Sequence, residues 1–153
     1  MQTGLFNLGI NDETEYYLKT KIMFSNQIAL VLGTCSVAYT YFSIHSTPSL
    51  TIYPLSMVFV SLLTLVLNRL YFINFSRLLL TVMVPLLVFL YHGFLVGTGE
   101  PMFHAMFLLQ FIFVFVPWVI FDFRESLFLF FVLLVGYALL LTQGFVVNIL
   151  ESG

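Results

Sequence analysis

The stretch 78–99, LLLTVMVPLLVFLYHGFLVGTG, decides the fold class because it runs for 22 residues without a charged side chain. A helix rises 1.5 Å per residue, so this stretch reaches about 33 Å, and the hydrocarbon core of a bilayer is about 30 Å thick. Its length and composition therefore predict a membrane-spanning helix.

The whole chain has the composition of such a helix. Hydrophobic residues make up 61% of the 153 residues and charged residues only 8%, whereas soluble domains carry about 25% charged residues. This balance predicts an integral membrane protein. A net charge of −2 without a basic patch excludes a nucleic-acid partner.

Further charge-free runs set the number of spans. The runs 101–121 and 126–150 are one span each, whereas 22–68 is too long for one and contains the polar turn HSTPS at 45–49. The prediction is an all-α integral membrane bundle of five transmembrane helices, preceded by a short cytoplasmic N-terminal helix. Its parts are a cytoplasmic lead-in (1–21), the bundle (22–150) and an outer tail (151–153).

The cations predict the orientation. Lys19 and Lys21 precede the first span, Arg69 and Arg77 lie in the second connection, and Arg124 lies in the fourth. Because cytoplasmic flanks retain lysine and arginine, the amino terminus is expected inside and the carboxyl terminus outside.

The first span, about 22–44, carries the most polar side chains. Two interpretations stay open for them: contacts with neighbouring helices, or serine and threonine hydroxyls bonded to their own helix backbone.

Ionisable residues gather at the predicted outer helix ends. His45 ends the first span, His92 ends the third, and Glu100 and His104 flank the start of the fourth. Such a group would bind a small polar ligand, coordinate a divalent metal or titrate near neutral pH. The alternative is that the histidines are interfacial residues that never meet, so a metal site stays open.

The inner turn between the fourth and fifth spans holds Asp122, Arg124 and Glu125. It is a candidate contact for a cytoplasmic output domain, or else a solvated turn that fixes orientation. The sequence has no nucleophile–base pair, phosphate-binding loop or mid-span ionisable residue, so we expect no catalytic residues and no cofactor.

Four segments, FNLGI, SNQIALVLG, YHGFLVGTGEP and PWVIFDFRE, resemble the multi-span sensor modules that precede histidine kinase, nucleotide cyclase or diguanylate cyclase domains in bacteria, particularly bacteroidetes. The resemblance covers about residues 4–150. It implies a six-helix bundle whose last helix enters a cytoplasmic signalling domain. It also implies a sensing region around His92, Gly97, Gly99 and Glu100.

The predicted five spans are one fewer than that family has. We therefore expect either an amino-terminal part of a larger sensor kinase or cyclase, or a chain that pairs with another membrane protein. The expected location is the bacterial inner membrane, multi-pass and with a cytoplasmic amino terminus. The expected partners are the lipid bilayer, an output domain or membrane protein, and a second copy in a homodimer. The alternative functions are a small oligomeric transporter or channel subunit and a structural membrane partner.

Overall fold

The computed structural model describes residues 4–8, 10, 16–96, 112–113, 115–121 and 123–151, without the side chains of residues 17, 92–96, 123 and 143–151. Five α-helices lie in these ranges: α1 Tyr16–Ser46, α2 Ile52–Arg69, α3 Ile73–Val96, α4 Val116–Ile120 and α5 Ser126–Glu151. Three short 3-10 helices are Leu5–Asn7, Pro48–Leu50 and Phe123–Glu125. The described residues contain no strand, so the all-α prediction is confirmed for them.

Three helical segments are long and apolar enough to cross a membrane: Leu18–Ser46, Pro48–Arg69 and Ile73–Tyr91. They coincide with the first three predicted spans. Helix α5 matches the predicted fifth span in its bounds, and its segment Ser126–Thr142 is apolar. Most of the predicted fourth span, 101–121, lies outside the described residues, so the count of five spans stays a prediction.

The lead-in has two described parts. The 3-10 helix Leu5–Asn7 packs against α1, and residues 16–21 belong to α1 itself. The cytoplasmic helix expected before the first span is therefore continuous with that span over residues 16–21.

The long helices pack in chain order. Helix α1 packs on α2, α2 packs on α3, and α3 packs on α5. Aliphatic side chains from all four helices form the buried core, among them Ala29, Val60, Val84, Val88 and Val132.

Small residues bring α1 and α2 close together. A Cβ atom built on Gly33 would lie 3.2 Å from the Cβ of Ser61. This is tighter than nine in ten Cβ contacts, so a larger residue at this position would push Ser61 back by a few tenths of an ångström.

The connection from α2 to α3 reverses the chain within three residues. Tyr71 has φ 63°, and its N–H donates to the carbonyl of Asn68 while the N–H of Phe72 donates to the carbonyl of Leu67. These two bonds form a Schellman cap, in which the left-handed position usually holds glycine. The cap fixes where α2 ends and α3 begins.

Helix α2 buries polar side chains and exposes apolar ones. Ser61, Thr64 and Asn68 are buried, whereas Phe59 and Leu62 are 65% and 57% exposed. This distribution is the inverse of that in a soluble helix, where the apolar stripe faces the core. Helix α2 is thus suited to an apolar solvent around the bundle.

Candidate functional site

The structure describes only part of the predicted outer group of His45, His92, Glu100 and His104. His45 lies exposed in the last turn of α1, with its ring edge-on to Tyr41 at 5.1 Å between centroids. His92 belongs to α3, but its side chain is not described, and Glu100 and His104 lie outside the described residues. The convergence of these four residues stays a prediction. Among the described residues, no three His, Cys, Asp or Glu side chains are close enough together to hold a metal ion.

A cavity of about 580 Å³ lies between the three long helices α1, α2 and α3. Ligand pockets have about 300–1,000 Å³, so the cavity is large enough for a small molecule. Its described walls are mainly aliphatic, aromatic and thioether side chains. They include Ile28, Val31 and Leu32 of α1, Met57 of α2, Val88 of α3, and Ile112 and Phe113.

Tyrosines form the polar end of this cavity. The hydroxyl groups of Tyr39 and Tyr91 are 2.6 Å apart, and both residues line the cavity. The Tyr91 ring also meets the Tyr53 ring edge-on at 5.9 Å between centroids. Leu50 packs against this group from the connection between α1 and α2. The tyrosines thereby hold α1, α2 and α3 together near the end of the bundle that carries the HSTPS turn.

A buried ion pair lies at the opposite end. Arg77 is fully buried and donates from Nη1 to Glu125 Oε2 at 2.9 Å, and from Nη2 to Glu125 Oε1. It also donates to the Asn74 side-chain oxygen at 2.7 Å and to the Ile120 carbonyl at 3.3 Å. Its guanidinium lies 4.9 Å from the centroid of the Phe121 ring. Two parallel N–H···O bonds are the strong geometry for an arginine–carboxylate pair, so α3 is firmly joined to the segment before α5.

The candidate output turn lies beside this pair. The Glu125 side chain is only 15% exposed because Arg77 binds it, while Arg124 is exposed. Asp122 lies outside the described residues. A contact between this turn and a partner stays a prediction, with Arg124 as its described exposed charge.

A further contact joins the same end of the bundle. Lys21 Nζ donates to the Val119 carbonyl at 3.0 Å, which connects α1 to α4. Lys21, Arg77 and Arg124 therefore lie near one another at one end of the bundle. Which side of a membrane this end faces stays a prediction.

Two buried amides connect the lead-in to the bundle. Asn26 donates to the backbone carbonyls of Phe6 and Leu8 at 2.9 and 3.0 Å, and it accepts a bond of 2.7 Å from Asn68. Both amides are fully buried. One side chain of α1 thus fastens the lead-in and α2 together.

Both interpretations of the polar first span are confirmed, each for different residues. Asn26 and Tyr39 bond to other segments, whereas Thr34 and Thr40 donate to the carbonyls of Leu30 and Ser36, four residues back on α1 itself.

Arg77 is the site residue that sequence reasoning missed. The sequence marked it as a cation flanking a span, but α3 begins at Ile73, so Arg77 lies in the second turn of the helix. An arginine that is carried into a helix needs a carboxylate partner, and the nearby inner turn offered Asp122 and Glu125. That pairing was the available signal, although sequence spacing does not select the partner.

The Tyr39–Tyr91 contact was missed for a similar reason. The two residues are separated by 52 positions, and tyrosine near a span end is usual at a membrane interface.

No protein-family model, curated protein or solved structure matches the chain.

Proposed function

We propose that this chain is a membrane-embedded sensory module that responds to a small ligand bound within its helical bundle. The observation that carries the proposal is the cavity of about 580 Å³ between α1, α2 and α3. The resemblance of its connecting segments to bacterial sensor modules supports the same function.

The distribution of side chains supports a place in the bilayer. Helices α2 and α5 expose large apolar residues on the outside of the bundle, with Phe59 at 65%, Phe130 at 68% and Leu141 at 74%. In water these faces would cost free energy in proportion to their area, about 25 cal/mol per Å². In lipid they cost nothing.

A signal would pass from the cavity to the inner turn through α3. Val88 and Tyr91 of α3 line the cavity, and Arg77 of the same helix binds Glu125 immediately before α5. A ligand that prefers one packing of α1, α2 and α3 shifts the population toward that packing. A change in the tilt of α3 would then move the start of α5.

In this proposal the output signal is produced by a partner domain. A histidine kinase or cyclase domain, in the same protein or in a paired membrane protein, would read the position of the inner turn. The module itself would be non-catalytic and would lie in the bacterial inner membrane with its amino terminus inside. His45, His92, Glu100 and His104 remain a second candidate site, for a polar stimulus at the outer end.

The test uses the full chain joined to a kinase or cyclase reporter domain in membrane vesicles. We expect Met57→Trp, which places an indole in the cavity wall and obstructs the cavity, to fix the reporter output at one level and abolish its response to total lipid extract. Phe59→Trp is the matched control, because it places the same indole two residues away on the exposed face of α2. An unchanged response of Met57→Trp, with normal folding, would exclude the cavity as the sensing site. Substrate flux through proteoliposomes of the chain alone would favour the transporter alternative.

A further inference from the structure

We infer that the cavity binds a neutral amphiphile, with its hydrocarbon chain beside Ile28, Leu32 and Met57 and an uncharged, hydrogen-bonding head at the Tyr39–Tyr91 hydroxyl pair. The inference deepens the proposed function and rests on it for the cavity as the ligand site. It adds the chemical class of the ligand, its orientation and its route of entry.

The walls of the cavity determine that most of the ligand is a hydrocarbon chain. Almost the whole described surface of the cavity is apolar, and none of its described lining residues is charged. Gln27 and Ser36 are polar members of the lining, but they contribute little of its surface. A polar molecule placed there therefore replaces few of its hydrogen bonds to water, whereas a hydrocarbon chain gains about 0.8 kcal/mol for each buried CH₂ when it comes from water. The main part of the ligand is therefore hydrocarbon.

The Tyr39–Tyr91 pair determines the chemistry of the ligand's head group. A phenol oxygen can accept two hydrogen bonds, so the Tyr91 hydroxyl, 2.6 Å from that of Tyr39, can accept a further hydrogen bond from an alcohol. A charged head would need a counter-charge at this depth, because an ion without a partner is costly to desolvate. All five lysine and arginine residues of the chain lie outside the cavity lining. A neutral alcohol fits this end of the cavity.

The depth of the tyrosines agrees with the way lipids lie in a bilayer. Tyr39 is seven residues before the end of α1 at Ser46, or about 10 Å along the axis. The segment Leu18–Ser46 has 29 residues and reaches about 43 Å, so it exceeds the hydrocarbon core by about 13 Å in total. The hydroxyl pair then lies near the boundary between head groups and hydrocarbon. Leu32 lies about 10 Å deeper along α1 than Tyr39, near the middle of the bilayer, where the chain of an amphiphile from the same leaflet ends. Ile28 lies about one helical turn beyond it.

The route of entry is lateral. Val31, Cys35 and Ile112 line the cavity and are also exposed on the outside of the bundle, with Val31 at 63% and Ile112 at 52%. The cavity therefore opens between helices toward the lipid. A molecule dissolved in the bilayer reaches it without crossing water.

The test is photo-crosslinking of the full chain in phosphatidylcholine nanodiscs with hexadecanol that carries a diazirine in its chain. Mass spectrometry would locate the labelled residues. We expect photo-labels on the cavity residues of α1 and α2. Untagged hexadecanol should prevent this labelling by competition for the site. Hexadecyltrimethylammonium, with the same chain and a cationic head, should compete at least about tenfold less well because its charge finds no partner.

Variants distinguish the part of the cavity that binds the hydrocarbon chain from the part that binds the head group. Met57→Trp should remove the cavity labels, and Val31→Trp, at the exposed mouth, should do the same if Met57→Trp does not fold. Phe59→Trp should retain them. The double change Tyr39→Phe, Tyr91→Phe should weaken competition by hexadecanol about two- to tenfold, as expected for one or two lost hydrogen bonds.

The proposed binding site would be contradicted if the cavity residues were labelled no more than the exposed face of α2. It would also be contradicted if the cavity labels persisted in both tryptophan variants. Equal competition by the cationic amphiphile would overturn the neutral head. A clear label without any change in reporter output would leave the amphiphile site intact and contradict the sensory function instead.

Discussion

The guanidinium of Arg77 is fully buried between α3 and the segment before α5, where it binds Glu125 and Asn74. Its Nε atom has no hydrogen-bond partner among the described residues. Such a pair is strongly destabilising to break, because removing one member leaves the other charge buried without compensation.

We predict that Arg77→Met lowers the free energy of unfolding by about 3–5 kcal/mol, because the two hydrogen bonds between the buried guanidinium and Glu125 are lost. The measurement is the fraction of the detergent-solubilised protein that remains monodisperse after heating. The double variant Arg77→Met, Glu125→Leu should be more stable than Arg77→Met alone, since the largely buried carboxylate that lost its arginine is also removed. A double variant no more stable than the single one would contradict this account.

Tyr71 supports a second residue-scale prediction, because its positive φ places its Cβ near the following carbonyl oxygen. We predict that Tyr71→Gly preserves or raises stability by up to about 1 kcal/mol, while Tyr71→Val lowers it. The same heating assay measures both. Equal stability of the glycine and valine variants would show that the left-handed cap does not limit folding.

At the scale of elements, the α1–α2 crossing depends on Gly33. We predict that Gly33→Leu separates the two helices and lowers the midpoint of thermal unfolding, because even a Cβ atom at this position lies 3.2 Å from the Cβ of Ser61. Gly33→Ala should cost about 1–3 kcal/mol, as other overpacking changes do.

A double-variant cycle tests whether Ser61 is the obstacle. Ser61→Gly frees the space opposite Gly33, so Gly33→Ala should be tolerated better in that background than in the native chain. Additive effects of the two changes would mean that the helices adjust elsewhere.

The helices themselves were largely predictable, because a charge-free run of sufficient length has few alternatives to a helix in lipid. The periodicity of α2 even indicates its outward face, since Leu55, Phe59, Leu62 and Val66 recur every three or four residues. The sequence did not predict the ends as well. Helix α3 begins at Ile73, five residues before the predicted 78, because the Schellman cap at Tyr71 allows the helix to start before Arg77.

At the scale of the whole molecule, the sidedness of the bundle is open to direct measurement. In a Cys35→Ser background, we predict that Ser49→Cys reacts with a membrane-impermeant maleimide in intact cells. Leu70→Cys, in the connection near Arg69, should react only after permeabilisation. Both positions are exposed, so accessibility within the protein does not limit the reaction. The reverse pattern would invert the predicted orientation.

The sequence by itself determined the all-helical fold of the described residues, three apolar helices long enough to cross a membrane, and the clustering of Lys21, Arg77 and Arg124 at one end of the bundle. Composition and run length suffice for these features because each is a property of a continuous segment. Only the tertiary structure decided that Arg77 binds Glu125, that Tyr39 meets Tyr91 and that a cavity lies between α1, α2 and α3. These contacts join residues about 50 positions apart, and they depend on the tilt and register of packed helices, which hydrophobicity alone does not fix.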